Sequence, residues 1–581
     1  MRVLLVHPED DPTQLQGIEQ EFDMAFDLGT STPSCYESWS ELLRCPFQPL
    51  ATAEFQDCFQ VARTFSLGTG QVFDDFGFDW WDLLSIRFYE SLLEVIRLCR
   101  YIDSCSPADE IFVSRSCFHS RVLKLIAPRK IHELRVRSSL PGRVGLLSSR
   151  ISRLSPRKTL EVLEDKYDGS YRLRRRIARR SSTASEPLVL LPSAYGNASQ
   201  IQLAYARAVP EMKFLLVSTR RSGQVEERPA NVSSAKLAAY VGEKPGSAEL
   251  QRLLRAWTQL LEEFEKIREL KVLVRAGQLA EVPRICEQGL VARDAWLRVF
   301  DSQPIAAVLC ADEMNCNTRL PILIARLRGI PTIACHHGAL DVRYSMRPTS
   351  ADRVLVKGPM EKDYLLGCCG CAPEKFEVGA PPREIGVFRK SSNKDGIVFF
   401  SEPYENFGAR CREFYAELLP RLADLAIQMG CELLVKLHPY ESRSQRERLA
   451  TDVLSARQRR ALRVVDGPLQ TALLDRARFA LTITSTAAVD AALHQVPVFL
   501  CEWLNRSSHK YAEQFVKFRV AKRISSAEEL TAIPRLLEDF EPVNARELAE
   551  EIQPQRLRDL FSGKTHDVFG GSEAQTERLW A

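Results

Sequence analysis

An α/β chain of two doubly wound domains facing a cleft is what this sequence predicts, and three observations predict it. Short apolar runs of strand length alternate with helical stretches along the chain, the pattern of parallel strands joined by crossover helices. A stretch rich in Ser, Asn and Lys at 390–396 divides the series in two, as an interdomain linker does. In the second half, two strand-length runs end in polar residues, where an open parallel sheet collects its ligands.

The elements follow in order. The chain opens with a strand at 3–6, a helical stretch at 83–103 and a strand at 110–114. Strands recur at 188–191, 214–217, 306–309, 332–334 and 354–356, interrupted by amphipathic helices over 248–300. These make a first domain, 1–390, with helical insertions. After the linker the alternation is cleaner: strand 397–401, helix 411–429, strand 432–437, a helix, strand 462–465, helix 469–477, strand 479–484, helix 487–494 and strand 498–501. They make a second, compact domain, 391–545. The remaining tail, 546–581, continues a charged stretch that begins near 527 and is expected to pack back over the first domain.

Composition fits a large globular enzyme. The 581 residues suffice for two or three cores, and 45% hydrophobic with 27% charged residues is ordinary for a folded protein. No uninterrupted apolar stretch reaches about 18 residues, and the opening MRVLLVHPED turns acidic too soon for a secretory signal. A cytoplasmic location is expected. The sixteen cysteines are scattered, which reads as reduced thiols. Cys368 and Cys371 form a CxxC without a second pair at metal-ligand spacing, so no metal and no cofactor are assigned. The net charge of +4 is unevenly spread: between 128 and 180, sixteen Lys and Arg face five acids. This basic segment, 128–186, is either a solvated linker or a peripheral contact with anionic lipid at the inner membrane. It lacks interleaved aromatics, so nucleic acid is not expected as a partner.

The strand ends carry the chemistry. CELLVKLHPY closes a strand with Lys436, His438 and the helix-incompatible Pro439. RFALTITSTAAVDAALHQVPVFL reads as a strand, a Ser-Thr turn and a small-residue helix. Ser485 or Thr486 would cap that helix, whose start offers backbone N–H groups and a positive dipole end to a phosphate. Asp490, one turn on, is expected to face the same crevice. Glu402, Tyr404 and Asn406 follow the first strand of the second domain and are candidates for touching the nucleoside or the hinge. Asp312 and Glu313 follow the strand AAVLC, placing two carboxylates at its carboxyl end, fit to bind or deprotonate a sugar hydroxyl. His336 and His337 follow the strand TIAC, and an imidazole titrating near neutrality suits a general base. FDWWDLL, at 78–84, reads as a helix cap with buried tryptophans, and LPSAYGNAS, at 191–199, as a loop open to an acceptor or phosphate role.

KLHP followed by STAAVDAALHQVPV resembles the His-Pro and Ser/Thr motifs of the GT-B glycosyltransferases that build bacterial surface and capsular polysaccharides. These include sialyltransferases, Kdo transferases and CDP-glycerol glycerophosphotransferases. GIPTIACHHGALDVRYSMRPTSADRVLVKGPMEKDYLL and FEVGAPP are similar to further blocks of the same group, so the resemblance covers roughly the last 280 residues. It implies two Rossmann-like domains of GT-B type and an inverting, metal-independent transferase. Such an enzyme moves a sugar or glycerophosphate from a nucleotide-activated donor to a carbohydrate or lipid-linked acceptor. It implies that His438 and Ser485/Thr486 meet the donor's nucleotide and phosphates, and that His337, before Gly338, is the base, with Asp312 second. Those families usually carry glutamine or tryptophan before His-Gly, whereas Cys335-His336 stands here, and their acidic-acidic-glycine motif is missing, with Asp312-Glu313-Met314 its nearest approach, so the donor stays unassigned. Two other functions fit the same pattern: a hydrolysing UDP-sugar 2-epimerase, which needs carboxylates on both sides of one sugar, and a non-catalytic nucleotide-sugar-binding scaffold.

Overall fold

The structure is a computed structural model of the chain that describes residues 1–7, 22–27, 47–49, 72, 77–114, 116–134, 185–220, 223–225, 227–242, 246–338, 340, 344, 348–382, 394–402, 411–439, 441–504 and 511–564. Most of the basic segment, most of the linker, Tyr404, Asn406 and the last residues of the tail lie outside them.

Three parallel sheets organise these residues. The first joins β1 (Arg2–Val6), β2 (Met24–Asp27), β3 (Phe47–Pro49), β4 (Glu110–Val113) and β5 (Ile131–Glu133) in the order β3-β2-β1-β4-β5. The second joins β6 (Leu188–Ser193), β7 (Lys213–Ser218), β8 (Val232–Lys236), β9 (Ile305–Cys310), β10 (Thr332–Ala334), β11 (Arg353–Val356) and β12 (Phe376–Val378) in the order β12-β11-β10-β9-β6-β7-β8. The third joins β13 (Gly396–Phe400), β14 (Glu432–Lys436), β15 (Leu462–Val465), β16 (Ala477–Thr482), β17 (Val498–Cys501) and β18 (Lys522–Ile524) in the order β15-β14-β13-β16-β17-β18. Strand order reverses between β1 and β4, between β6 and β9, and between β13 and β16. A crevice opens at each such point, beyond the carboxyl ends of the strands.

The apolar runs fold this way because both faces of each large sheet are covered. Every residue of β6 and of β13 is buried, and successive side chains go to opposite cores. Val189 and Leu191 join one cluster while Leu188 and Leu190 join another, as Ile397 and Phe399 separate from Val398 and Phe400. The second and third sheets, with their helices, are the two Rossmann-like units of a GT-B-like fold.

The opening strands, expected to begin the first of these units, instead build a sheet of their own. Helix α1 (Trp81–Ser104) covers it, and α2 (Phe118–Ile126) joins β4 to β5. The interrupting helices α3 (Gly196–Ala208), α4 (Ser247–Phe264), α5 (Arg268–Arg275) and α6 (Val282–Ser302) follow β6, β8 and one another. The last three tie the first sheet to the second. Trp81 stacks on Trp257 with ring centroids 6.3 Å apart, and Arg268 forks onto Asp103 at 2.7 and 2.8 Å. FDWWDLL opens α1 with both tryptophans buried, as expected, but its N-cap position, Trp80, makes no side-chain cap bond; Asp79 Oδ1, one residue earlier, accepts from the N–H groups of Val72 and Trp81, each at 2.9 Å.

The edge strands β3, β5, β8, β12 and β18, and the inner strand β2, escape a reading by apolar runs. Sequences such as IHE, KRI and VSSAK are too short or too polar to stand out, and backbone pairing with a neighbour is what makes them strands.

After the third sheet the chain returns to the second, as expected of the tail. Glu550 N donates to Lys357 O at 2.8 Å and Ala380 N to Glu550 O at 2.7 Å. Gly358 permits this crossing, since a Cβ there would lie 2.7 Å from the Leu548 carbonyl carbon. The terminal helix Pro554–Phe561 then seats Phe561 against Phe214 and pairs Arg556 with Glu377. Among the described residues no helix is long and apolar enough to cross a membrane.

Candidate functional site

On the second sheet, the site grows from the crevice between β6 and β9. The loop after β6 carries Tyr195, the loop after β9 carries Asp312, and the loop after β10 carries His336, His337 and Gly338. The Tyr195 hydroxyl donates a short hydrogen bond to Asp312 Oδ2 and stands 3.2 Å from His337 Nδ1. With the phenol proton given to the carboxylate, the phenol oxygen accepts from Nδ1–H. That leaves Nε2 as the basic nitrogen of His337. The Tyr195 and His337 rings meet edge to face at 5.2 Å, which fixes the imidazole plane.

The neighbouring residues hold this loop. His336 Nδ1 accepts from the Gly338 N–H at 3.2 Å, and the His336 carbonyl accepts from Lys357 Nζ at 2.5 Å. Burial pushes the Cys335 thiol up to about 12, so it is no nucleophile at neutral pH. Glu313, expected to face the site, is fully buried. Its carboxylate accepts from Thr349 Oγ1 and from the N–H groups of Ser350 and Ala351 at 2.9 and 3.2 Å, with the Arg319 guanidinium 3.8 Å away. It fastens the segment that enters β11.

On the third sheet the crevice lies between β13 and β16. Glu402 follows β13 and accepts from Thr484 Oγ1 at 2.5 Å. Burial, with the Glu441 charge adding to it against the Thr484 bonds, raises its carboxyl to about 7. Ser485 and Thr486 follow β16 and lead into the seven-residue helix Ala487–Leu493. Capping is weaker than the sequence suggests. Thr486 holds the N-cap position with helical backbone angles and no side-chain cap bond, while Ser485 Oγ accepts from Ala487 N at 3.4 Å. Asp490 is exposed on this helix.

The Lys-x-His-Pro loop after β14 is built around Glu441, which sequence reasoning missed. Glu441 is 7% exposed; its Oε1 accepts from Ser401 Oγ and Arg446 Nε, each at 2.6 Å, and its Oε2 from the His438 N–H at 2.7 Å. Its place three residues after His438 was the signal available. Lys436 differs from the expected phosphate ligand: its ammonium donates to the carbonyls of Leu437 and Gly467 at 2.6 and 2.8 Å, and burial lowers its pKa. Burial also lowers the pKa of the half-buried His438, so that imidazole meets a ligand as a neutral hydrogen-bonding group. Pro439 is exposed at the turn.

The two sides meet. A Cβ built on Gly338 would lie 3.5 Å from Thr486 Oγ1, so the His-Gly loop of one sheet rests on the Ser-Thr turn of the other. At this seam of the cleft between the two sheets, Tyr195 links Asp312 to His337 on one side, and on the other Glu402 bonds Thr484, the residue before Ser485. Tyr195 was hidden in the loop LPSAYGNAS, whose position after a strand was its only mark. A separate groove of about 660 Å³, lined by Thr332, Asp352, Arg353 and Arg556 among others, lies at the amino ends of β10 and β11 and is not part of this cleft.

Comparison with known proteins adds the following. Residues 306–507 match a family model described as "Putative glycosyltransferase (DUF6716)". No curated protein matches the chain in sequence. Among solved structures, the chain is similar to a "putative UDP-N-acetylglucosamine 2-epimerase" from Listeria monocytogenes at 12% identity and TM-score 0.42, covering 68% of this chain and all of that one. It is similar to the UDP-GlcNAc 2-epimerase of Methanocaldococcus jannaschii at 11% identity and TM-score 0.39, covering 65% of this chain and 99% of that one. It is also similar to the calicheamicin glycosyltransferase CalG4 at 13% identity and TM-score 0.36, covering 66% and 96%.

Proposed function

We propose that the chain is a glycosyltransferase that takes a sugar, or a glycerophosphate, from a nucleotide-activated donor and passes it to a hydroxyl of a carbohydrate or lipid-linked acceptor in cell-surface polysaccharide assembly. The observation that carries this is the Asp312–Tyr195–His337 relay lying against the Ser485/Thr486 turn of the opposite domain. His337 Nε2 takes the acceptor proton, and with a sugar donor the acceptor oxygen attacks the anomeric carbon. The bond from that carbon to the phosphate oxygen breaks, and its electron pair leaves with the nucleotide. A single displacement of this kind inverts the centre. Thr486 and His438 offer neutral hydrogen bonds to the departing phosphate, and the reading assigns no metal to the step.

One observation favours a second reading, the hydrolysing 2-epimerase. Glu402, with its carboxyl near 7, bonds Thr484 beside the Ser485/Thr486 turn of the third sheet, whereas Asp312 belongs to the second, and on this reading each unit supplies one of the two carboxylates that such an enzyme needs.

The test is a thermal-shift and calorimetric panel of CMP, CDP, UDP and GDP on wild type, His438→Ala and His337→Ala. Selective stabilisation by one nucleotide, weakened in His438→Ala and kept in His337→Ala, is expected; no response to any of them overturns the site. The matching nucleotide-sugar, incubated without acceptor, then separates the readings. A transferase leaves it essentially intact, whereas free sugar and nucleotide at turnover rates indicate the epimerase.

A further inference from the structure

The first sheet carries a cluster that the cleft does not use. Parallel pairing sets Leu5 level with Val113, so β1 and β4 end on the same edge, at the point where strand order reverses. His7 leaves β1 there, held by its N–H on Ser114 Oγ at 3.0 Å. Cys117 and His119 leave β4 there, at the start of α2. Cys117 Sγ lies 4.0 Å from His119 Nδ1, and one donor atom from each of the three side chains falls within 4.8 Å of the others. All three side chains are half-buried. Behind them, Glu94 of α1 holds an oxygen 3.4 Å from His119 Nε2 and is itself gripped by Arg97 Nη2 at 2.6 Å.

We propose that His7, Cys117 and His119 bind a zinc ion at the carboxyl edge of the first sheet, with Glu94 orienting His119 from behind. A carboxylate on Nε2–H fixes the tautomer and leaves the Nδ1 lone pair facing Cys117, the arrangement that supports metal-bound imidazoles. Zinc–sulfur and zinc–nitrogen bonds of about 2.3 and 2.0–2.1 Å place tetrahedral S and N donors roughly 3.6 Å apart, within a small side-chain rotation of the 4.0 Å seen here. Three protein donors leave the fourth position to water or to a ligand in the switch-point crevice. A thiolate with two imidazoles selects a borderline cation such as zinc over magnesium or calcium.

Cobalt(II) titration of the chelator-treated full chain tests this. Saturation at one cobalt per chain, with a thiolate-to-cobalt charge-transfer band that added zinc abolishes, is expected. Cys117→Ser keeps a side-chain oxygen for the helix cap yet should lose the band. Glu94→Gln should keep it and weaken affinity by about 10–100-fold. Far-UV circular dichroism checks folding, and His7→Ala, which leaves the cap untouched, replaces Cys117→Ser if that variant does not fold; it too should lose tight binding. A wild type without the band, or a band that survives these changes, overturns the site. Rapid alkylation of Cys117 with no bound metal would identify a bare thiol–imidazole pair instead.

Discussion

Glu402 gives the sharpest quantitative prediction, because it needs no substrate. Its carboxyl stands at about 7 instead of the 4.5 of a free glutamate, mainly through burial. Between those two values the unfolded chain has released a proton that the folded chain still holds. Stability therefore falls as pH rises through that window. The full difference would be worth about 3 kcal/mol at roughly 1.4 kcal/mol per pH unit, and the partial exposure of the residue reduces this to about 1–2 kcal/mol. Glu402→Gln keeps an acceptor for Thr484 Oγ1 and cannot ionise. Near pH 5 the variant should melt with the wild type, and near pH 8 it should melt higher by about 2–8 °C, at roughly 2–4 °C per kcal/mol for domains of this size. Differential scanning fluorimetry across the range, reading the difference between variant and wild type, cancels other titrating groups. An offset that does not change with pH, or a variant less stable at high pH, would refute the burial argument.

Two further perturbations follow from the geometry. Glu441→Gln leaves Arg446 without its counter-charge inside the third sheet's core, and breaking such a buried pair from one side costs about 3–5 kcal/mol; chemical denaturation with the isolated change should show it, and a loss under about 1 kcal/mol would mean that the network around Ser401 and Tyr415 tolerates a neutral acceptor. Tyr195→Phe should lower kcat by about 10²–10⁴-fold, the range of general base catalysis, with little change in the KM for donor, and should add almost nothing in a His337→Ala background. Additive effects in that double variant would separate Tyr195 from the histidine.

Much of this was legible along the chain. Strands 332–334, 462–465 and 498–501 coincide with β10, β15 and β17, because buried parallel strands are continuous apolar runs bounded by polar turns. The candidate positions Asp312, His337, Glu402 and Ser485 could be picked out for a related reason: a polar side chain directly after such a run falls at the carboxyl edge of a sheet. What that edge does with each one could not be read. Glu313 and Lys436 occupy the same kind of position as Asp312 and His438, yet one fastens the entry to β11 and the other ties two loop carbonyls. Tyr195 and Glu441 gave only weak signals, since a tyrosine in a loop and a glutamate near a turn are common.

The sequence by itself determined the central strands of the two large sheets, the doubly wound class and the strand ends at which chemistry is available, because these depend on the local order of apolar and polar residues. Tertiary structure alone decided that β1 to β5 form a sheet separate from the other two, that His7 meets Cys117 and His119, and that Gly338 rests on Thr486 across the cleft. The deciding contacts, β1 with β4, His7 with Cys117 and His119, and Gly338 with Thr486, join segments over a hundred residues apart. Such contacts are set by strand order and by how sheets and helices pack, which local periodicity does not encode.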